Sequence, residues 1–497
     1  MSNDDVAALA NEALGPLDAS VVAALGAHAR GLPGALVSAL YRLSSLPAVT
    51  ASDVQALPLA DSALALANAR LATISPRARS LLQALALVNA LPDDLVAPLL
   101  AHLQDVPASD AERLLSQLMA AGLVVHDAGS IVLADRALSD ALSNDLGERG
   151  QGELAQRLLS SPFRDRLELP VRARLAVRAG DAGEIVHLVP PAASALARIG
   201  AHAAAADLLV ALLEHCDGEQ ERTVLIDLAR ARQALGEDER AIELAQRVAD
   251  SREAQPHERA AARLLSARAL SVLARFDDAV NELGLVPSDV DDAQRAQVQR
   301  ELAKVHLRRG DYAAAERAAE HGLQHASATD PVRIELLCSQ GMVASYRGDH
   351  VSARNCQEAA LEMARRYGTR RDEANVLTYL AIASHRGGDN IAARDLLAQS
   401  LEIARELGDV NNMATYSQNL GAILFYLGEH AAAEEHYESS VRLSRRSGRL
   451  STPHLQARNN LAHIHLYFGL YEQARGEIEA VLKDAGAAGH AFLVAQA

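Results

Sequence analysis

Aromatic side chains are scarce in this sequence. Tryptophan is absent and aromatic residues make up only 3% of the 497 residues, whereas hydrophobic residues as a whole make up 49%. An interior built from alanine, leucine and valine suits closely packed helices better than sheets. We therefore predict an all-α protein. Its length favours several domains or a long repeat array over a single core.

Lysine is nearly missing as well, since Lys304 and Lys483 are its two occurrences. Neither follows a glycine-rich loop, so the sequence lacks the G-x-x-x-x-G-K-[ST] phosphate loop, whose lysine contacts the phosphates of ATP. We expect this chain not to bind ATP and to need no other cofactor.

Catalytic and metal-binding motifs are missing too. No serine lies in a G-x-S-x-G motif, and the pair His321 and His325 lacks the glutamate of H-E-x-x-H. We predict a protein that is not an enzyme and has no metal site.

Cysteine and positive charge are also limited. Cys216, Cys338 and Cys356 show no C-x-x-C spacing, which is typical of buried thiols in a reducing compartment. The N-terminus is acidic, unlike a secretory signal, and no uncharged apolar stretch reaches the about 18 residues of a membrane span. The net charge of −16 disfavours contact with phosphates and anionic lipids. We expect a cytoplasmic protein that binds neither nucleic acid nor membranes.

A repeat organises most of the sequence. Turn residues followed five positions later by alanine occur at Gly236, Ala274, Gly310, Gly348, Gly388, Gly428 and Gly469. They are 36 to 41 residues apart, which is enough for two helices of about 15 to 18 residues. A small residue always stands seven positions before the turn, at Ala229, Ala267, Ala303, Gly341, Ala381, Gly421 and Ala462. The pattern predicts helical hairpins whose two helices approach closely.

The pattern resembles tetratricopeptide repeats, most clearly in "NNLAHIHLYFGLYEQA". The longer steps are similar to the repeats of bacterial signalling proteins and of kinesin light chain. The resemblance implies a right-handed tetratricopeptide-type α-solenoid over residues 151–497, with turns near residues 200, 236, 274, 310, 348, 388, 428 and 469.

Residues 61–150 predict a small separate module. Ser75 is a helix N-cap before Pro76, Pro92 opens a second helix, and a third helix runs from the cap Ser109 to Gly122. The stretch "LVVHDAGSIVLA" then predicts a β-hairpin. Three helices and a β-hairpin are typical of a winged-helix domain.

The third helix of this module carries Asp110 and Glu112 against Arg113. An acidic helix face favours a structural spacer over contact with DNA, which stays open as the alternative.

Residues 1–60 contain "ARGLPGALVSALYRL", in which Gly31 and Pro33 separate two helical patterns. A helical lid-like segment, a winged helix and repeats, in this order, resemble the C-terminal half of a STAND-type signalling ATPase. The resemblance implies that Pro33 matches the proline that packs near adenine, although the phosphate-loop domain is missing. We expect a fragment or a split reading frame, and a domain that lost its ATPase is the alternative.

The resemblance also implies a binding groove, because the first helix of each tetratricopeptide hairpin lines the concave side. Positions nine, three and two before the last three turns predict a peptide-binding groove of Tyr379, His385, Arg386, Asn419, Phe425, Tyr426, Asn460, Leu466 and Tyr467. Asn419 and Asn460 match groove asparagines that pair with a peptide backbone, since an amide donates and accepts. The alternative is that the tyrosines fill gaps between hairpins and the asparagines cap local backbone.

A second surface is basic. Arg300, Lys304 and Arg308 follow one another at intervals of four residues on one predicted helix, a stripe that would suit an acidic partner segment or simply be solvated.

Two functions follow from these observations. The first is a non-catalytic protein-interaction scaffold in bacterial signal transduction, which binds a peptide or helix of a partner. The second is the sensor half of an ATP-dependent STAND-type switch or transcription regulator whose nucleotide-binding domain lies on other sequence.

Overall fold

The structure is a computed structural model that describes residues 17–29, 63–446 and 452–487, together with residues 6, 7, 9–11, 36, 39, 40, 43, 50 and 54. The chain divides into two compact units, Met1–Ala195 and Leu196–Ala497. Helices predominate in both units, which confirms the predicted fold class. The lid-like Gly31 and Pro33 lie outside the described residues, and the three-part division at residues 60 and 150 stays a prediction.

The first unit contains a small sheet among helices. Its elements are α1 (Ala19–Ala29), α2 (Ala63–Leu71), α3 (Pro76–Val88), β1 (Ala90–Pro92), α4 (Asp93–Gln104), α5 (Ala108–Ala120), β2 (Val124–Asp127), β3 (Ser130–Leu133), α6 (Arg136–Leu159) and α7 (Leu169–Ala179). The three strands pair antiparallel in the order β1-β3-β2. This arrangement of α3, α4, α5 and the sheet is consistent with a winged helix.

Local signals explain most of these bounds. The Ser75 hydroxyl accepts a hydrogen bond from the backbone N–H of Ala78 at 3.2 Å, which confirms the predicted cap of α3. The predicted cap at Ser109 is wrong, because α5 begins at Ala108 directly after Pro107. The fixed backbone angle of Pro107 starts the helix earlier and leaves Ser109 within the first turn. Strand β1 pairs Ala90 with Val132. It is so short that its sequence does not predict a strand.

The second unit is a series of helical hairpins. Helix α8 (Ala182–Arg198) belongs mostly to the first unit and is followed by α9 (His202–Leu213). Then come the pairs α10 (Gly218–Ala234) and α11 (Asp238–Ala249), α12 (Pro256–Val272) and α13 (Phe276–Gly284), α14 (Asp292–Arg309) and α15 (Tyr312–His325), α16 (Val332–Tyr346) and α17 (His350–Tyr367), α18 (Arg370–Arg386) and α19 (Asn390–Glu406), α20 (Val410–Tyr426) and α21 (His430–Arg446), and α22 (Thr452–Tyr467) and α23 (Tyr471–Ala487). Each hairpin is named below by its turn residue.

The predicted turns are confirmed at every position. The turn residue has a left-handed φ of 81° at Gly236, 82° at Gly310, 86° at Gly388 and 59° at Ala274. After the turn glycine, Asp389 opens the next helix by accepting a hydrogen bond from Ala392 N at 3.0 Å. Asp311 and Asp349 cap the helices after Gly310 and Gly348 in the same way.

The small residues lie where two helices meet. Those seven before and five after the turns are fully buried, as in Ala229 with Ala241 and Ala381 with Ala393. The chain thus forms a tetratricopeptide-type solenoid, in which each hairpin packs closely on itself and on its neighbours.

Ion pairs join the first helices of neighbouring hairpins. Arg222 Nε lies 3.0 Å from a carboxylate oxygen of Glu258, which links α10 to α12. Lys304 Nζ lies 3.0 Å from Glu335, which links α14 to α16. First helices are therefore direct neighbours along the solenoid. Among the helices whose residues are described, none is both long and apolar enough to cross a membrane.

Candidate partner-binding site

The predicted groove residues lie on the first helices α18, α20 and α22, and they differ in what they contact. Tyr379 is half-buried and packs on the buried cluster that contains Ile334, Cys338 and Val376. Burial raises the pKa of the Tyr379 phenol, with smaller contributions from Cys338 and Glu335. The contacts of Tyr379 are those of a residue that fills a gap between hairpins.

The two asparagines have different surroundings. Burial raises the pKa of the Tyr437 phenol, and its interaction with Asn460 lowers it; Tyr437 is itself buried beside Gly421. Asn419 is half-buried, and within the described part of the chain its side chain makes no hydrogen bond. A half-buried amide with unused donors and acceptors is suited to pair with a bound backbone. Asn419 is therefore the better placed of the two to meet a partner.

The remaining predicted residues lie close to the turns, where rings from successive hairpins stack. The ring of His385 lies 4.7 Å from that of Tyr426, and His385 Nδ1 is 2.7 Å from Asn390 Oδ1. Phe425 lies 5.0 Å from His430, whose ring is 4.7 Å from that of Tyr467. Predicted residues of α18, α20 and α22 thus belong to one connected set of rings.

We use the name turn-edge ladder for this set together with two further groups of contacting side chains at other turns, Phe276 with Arg308 and Tyr312 with Tyr346 and Arg386. It comprises Phe276, Arg308, Tyr312, Tyr346, His385, Arg386, Phe425, Tyr426, His430 and Tyr467.

A simple spacing in the sequence relates side chains of the ladder that contact each other. A residue two positions after one turn faces a residue two positions before the next turn. Tyr312 stacks on Tyr346 with ring centroids 4.8 Å apart, and the guanidinium of Arg386 covers Tyr346 at 3.9 Å. Arg308 lies 5.7 Å from the ring of Phe276 in the same relation. Contacts of these kinds each stabilise by about 0.5–1.5 kcal/mol.

The prediction missed Tyr312, Tyr346 and His430. Tyr346 stands two positions before a turn, so extending the register that selected Tyr426 to the Gly348 turn would have found it. Tyr312 and His430 stand two positions after a turn, a position that this register does not include. Tyr426 and Tyr467 remain 65% exposed, which shows that the ladder presents its outer rings to solvent.

The basic stripe has its carboxylate partners within the chain. Arg300 lies 2.6 Å from Glu301 and Lys304 lies 3.0 Å from Glu335, while Arg308 donates to Ser271 Oγ at 3.0 Å. Burial opposes ionisation of Glu301, but Lys304, Arg268 and Arg300 outweigh it and lower the pKa of Glu301. The stripe thus contributes contacts between hairpins, and its role as a site for an acidic partner stays a prediction.

Metal ligation has no support in the described residues. No group of three or more histidine, cysteine, aspartate or glutamate side chains there could hold an ion. His325 of the predicted pair lies 3.0 Å from Asp292 Oδ1.

Comparison with known proteins matches one repeat model to part of the chain. A family model described as tetratricopeptide repeat matches residues 332–406 and 411–483. None of the curated proteins compared matches the chain.

Among solved structures, a Rap protein complexed with competence and sporulation factor is 18% identical, with a TM-score of 0.42, and the match covers 55% of this chain and 79% of that one. NprR in complex with its cognate peptide NprX is 17% identical at a TM-score of 0.40, over 55% of this chain and 80% of that one. A Signal Transduction ATPase with Numerous Domains, with a tetratricopeptide repeat sensor, from Pyrococcus horikoshii is 16% identical at a TM-score of 0.40. That match covers 99% of this chain and 74% of the other.

Proposed function

We propose that this chain is a non-catalytic protein-interaction scaffold of bacterial signal transduction in the cytoplasm. It binds a peptide or helix of a partner protein along the first helices of the Gly388, Gly428 and Gly469 hairpins. The tetratricopeptide repeats support a binding role, since repeat solenoids offer extended binding surfaces.

The observation that carries the proposal is the surface around Asn419. This half-buried amide has no hydrogen-bond partner in the described chain, and the exposed ring of Tyr426 lies two helical turns further along the same helix. An unpaired amide beside exposed aromatic rings provides backbone pairing and apolar contact together. Tyr379 and Asn460 contact other side chains of the chain itself. Tyr379 packs on a buried cluster, and Asn460 interacts with Tyr437.

A selection from a random peptide library against the full chain tests the proposal. We expect the selected peptides to lose about fivefold in affinity for Asn419→Ala, because a hydrogen bond contributes about 1 kcal/mol. Asn281→Ala replaces an exposed asparagine on the second helix α13 and serves as the matched control. Unchanged affinity in Asn419→Ala, with normal melting temperature, would reject the assigned surface.

The first unit supports a second candidate. In this unit, helices α3, α4 and α5 and the three-stranded sheet precede a repeat solenoid. This order suits the regulatory half of an ATP-driven switch. The reading frame directly upstream in the genome tests this. A phosphate-loop domain encoded there would favour the switch, and an unrelated gene would favour the scaffold.

A further inference from the structure

The turn edge of the last hairpins is unusually apolar for an exposed surface. Here the turn edge means the surface formed by residues within three positions of the turns at Gly348, Gly388, Gly428 and Gly469. Its exposed large apolar side chains are Tyr346, Val351, Ile391, Tyr426, Leu466, Tyr467, Phe468, Leu470 and Tyr471. In a chain with ten tyrosines and five phenylalanines, this concentration marks an interaction surface.

Carboxylates accompany the rings in the same register. Asp311, Asp349, Asp389 and Glu429 each directly follow a turn glycine, and all four are exposed. One oxygen of Asp349 accepts a hydrogen bond from Ser352 N at 3.0 Å and so caps α17. The Gly348 and Gly428 turns each carry an exposed ring and a carboxylate, Tyr346 with Asp349 and Tyr426 with Glu429. The Gly388 turn carries Asp389 beside Arg386, and the Gly469 turn carries exposed rings with no acidic residue directly after the glycine.

The spacing of these groups follows from helix packing. First helices are direct neighbours, as the hydrogen bond of 2.6 Å from the Tyr416 phenol of α20 to Asn375 of α18 also shows. Packed helices lie about 8–10 Å apart. A polyproline II helix advances about 3.1 Å per residue and repeats every three residues, which gives about 9 Å per turn. One turn of such a segment therefore matches one hairpin.

We propose that the turn edge binds a proline-rich segment in the polyproline II conformation that carries arginine. This inference rests on the proposed function, because it names the chemistry of the partner. Proline rings pack on Tyr426 and Tyr467, and arginines pair with Asp349, Asp389 and Glu429.

Charge and shape both favour this occupant. The chain carries a net charge of −16, which attracts arginine and repels nucleic acid phosphates. Tyr426 and Tyr467 are each 65% exposed and lie on neighbouring first helices, so successive proline rings of one extended segment can pack on both. A polyproline II segment arrives already ordered, so it loses little entropy on binding this surface.

Three synthetic peptides test the inference by fluorescence anisotropy with the full chain. They contain five repeats of Pro-Pro-Arg, of Pro-Pro-Glu, or of Gly-Ser-Arg. We expect Pro-Pro-Arg to bind at least about tenfold more tightly than the other two, since only it combines the ordered conformation with positive charge. Equal binding of Gly-Ser-Arg would overturn the inference, because charge alone would then explain it.

Variants locate the binding. Tyr426→Ala and Tyr467→Ala should each weaken Pro-Pro-Arg binding about twofold to tenfold, as expected for loss of one ring contact. Leu285→Ala, which removes an exposed side chain at the far end of α13, should not. Asp349→Asn and Asp389→Asn should also weaken binding, while asparagine keeps each helix cap intact. Full affinity in the tyrosine variants would contradict the assigned surface.

The outcome separates this inference from the proposed function. If library-selected peptides depend on Asn419 while Pro-Pro-Arg does not bind, the scaffold proposal stands and the polyproline inference is wrong. If no selected peptide depends on Asn419 and Pro-Pro-Arg does not bind, both are wrong.

Discussion

At the scale of single residues, the turn positions show how strictly backbone geometry selects glycine. Ala274 adopts the same left-handed conformation as Gly310, with φ of 59° against 82°. Both turns close with the same hydrogen bond, from Arg275 N to Leu270 O and from Asp311 N to His306 O, at 2.9 Å each. Alanine in this conformation costs about 1–2 kcal/mol.

Exchanging the two turn residues tests that account. We expect Ala274→Gly to stabilise the protein by about 0.5–1 kcal/mol, since relief of strain exceeds the added entropy of the unfolded chain. Gly310→Ala should destabilise by a similar amount. Thermal unfolding followed by circular dichroism measures both, and a lower melting temperature for Ala274→Gly would contradict the account.

Close helix contact explains a second group of small residues. A Cβ atom on Gly421 would lie 2.8 Å from Cε1 of Tyr437 and 3.2 Å from the carbonyl oxygen of Ala433. Gly476 also lies within a helix, but a Cβ atom there would meet nothing within 4 Å.

The same substitution at these two glycines should therefore have opposite effects. Gly421→Ala should cost about 1–3 kcal/mol by overpacking. Gly476→Ala should add about 0.5–1 kcal/mol, because alanine is the better helix former. If thermal unfolding shows that both variants are stabilised, the hairpin can separate without cost and the packing argument is wrong.

At the scale of elements, buried ion pairs fix neighbouring hairpins to each other. Glu301 of α14 is 4% exposed and lies 2.8 Å from Arg268 Nε of α12 and 2.6 Å from Arg300. Lys304, Arg268 and Arg300 together outweigh burial and lower the pKa of Glu301. The carboxylate therefore stabilises the contact as long as it is ionised.

Glu301→Gln tests this contact through pH. Because the folded-state pKa is lowered, the stabilisation is present above the unfolded value of about 4.3 and is lost as pH falls through the folded value. We expect the variant to lose about 1–3 kcal/mol at pH 7, and the difference in melting temperature from wild type to shrink at acid pH.

The control for this experiment is Glu243→Gln, which disrupts an exposed pair with Arg240. Exposed pairs contribute about 0–1 kcal/mol, so this variant should melt close to wild type at every pH. A Glu301→Gln deficit that stays constant down to acid pH would show that the contact does not depend on ionisation.

The sequence predicts the hairpins well because their signals are local. At most turns the signals are a glycine with left-handed backbone, an acidic residue directly after it and an alanine five positions on. All three lie close together in the sequence. The start of α5 was missed because Pro107 and Ser109 offer competing local signals, and β1 because three residues carry too little pattern.

The site is less predictable because its contacts are between hairpins. Tyr312 meets Tyr346 across 34 positions of sequence, and Lys304 meets Glu335 across 31. Neither partner is visible from helix periodicity, which shows Arg300 and Lys304 as a basic stripe but not the carboxylates of the same chain that they contact. Asn419 and Asn460 occupy equivalent repeat positions. They differ because Asn460 interacts with Tyr437, whereas Asn419 has no such partner among the described residues.

At the scale of the whole molecule, the scarce aromatic residues contribute little to the core, where Tyr416 and Tyr437 are buried. Alanine and leucine fill most of the interior of the solenoid, while Tyr346, Tyr426, Tyr467, Phe468 and Tyr471 stay exposed at the turn edge. With a net charge of −16, such a chain is suited to protein partners that bring apolar rings and positive charge. The composition thus agrees with the proposed role as a scaffold.

Hydrogen exchange of the full chain, with and without a library-selected peptide, tests the central claim most directly. If the first helices of the last three hairpins form the binding surface, the peptide should slow exchange in α18, α20 and α22, because binding suppresses local opening. Exchange in α3 to α5 and in the second helices α11 and α13 should stay unchanged. Protection confined to the first unit or to those second helices would contradict the account.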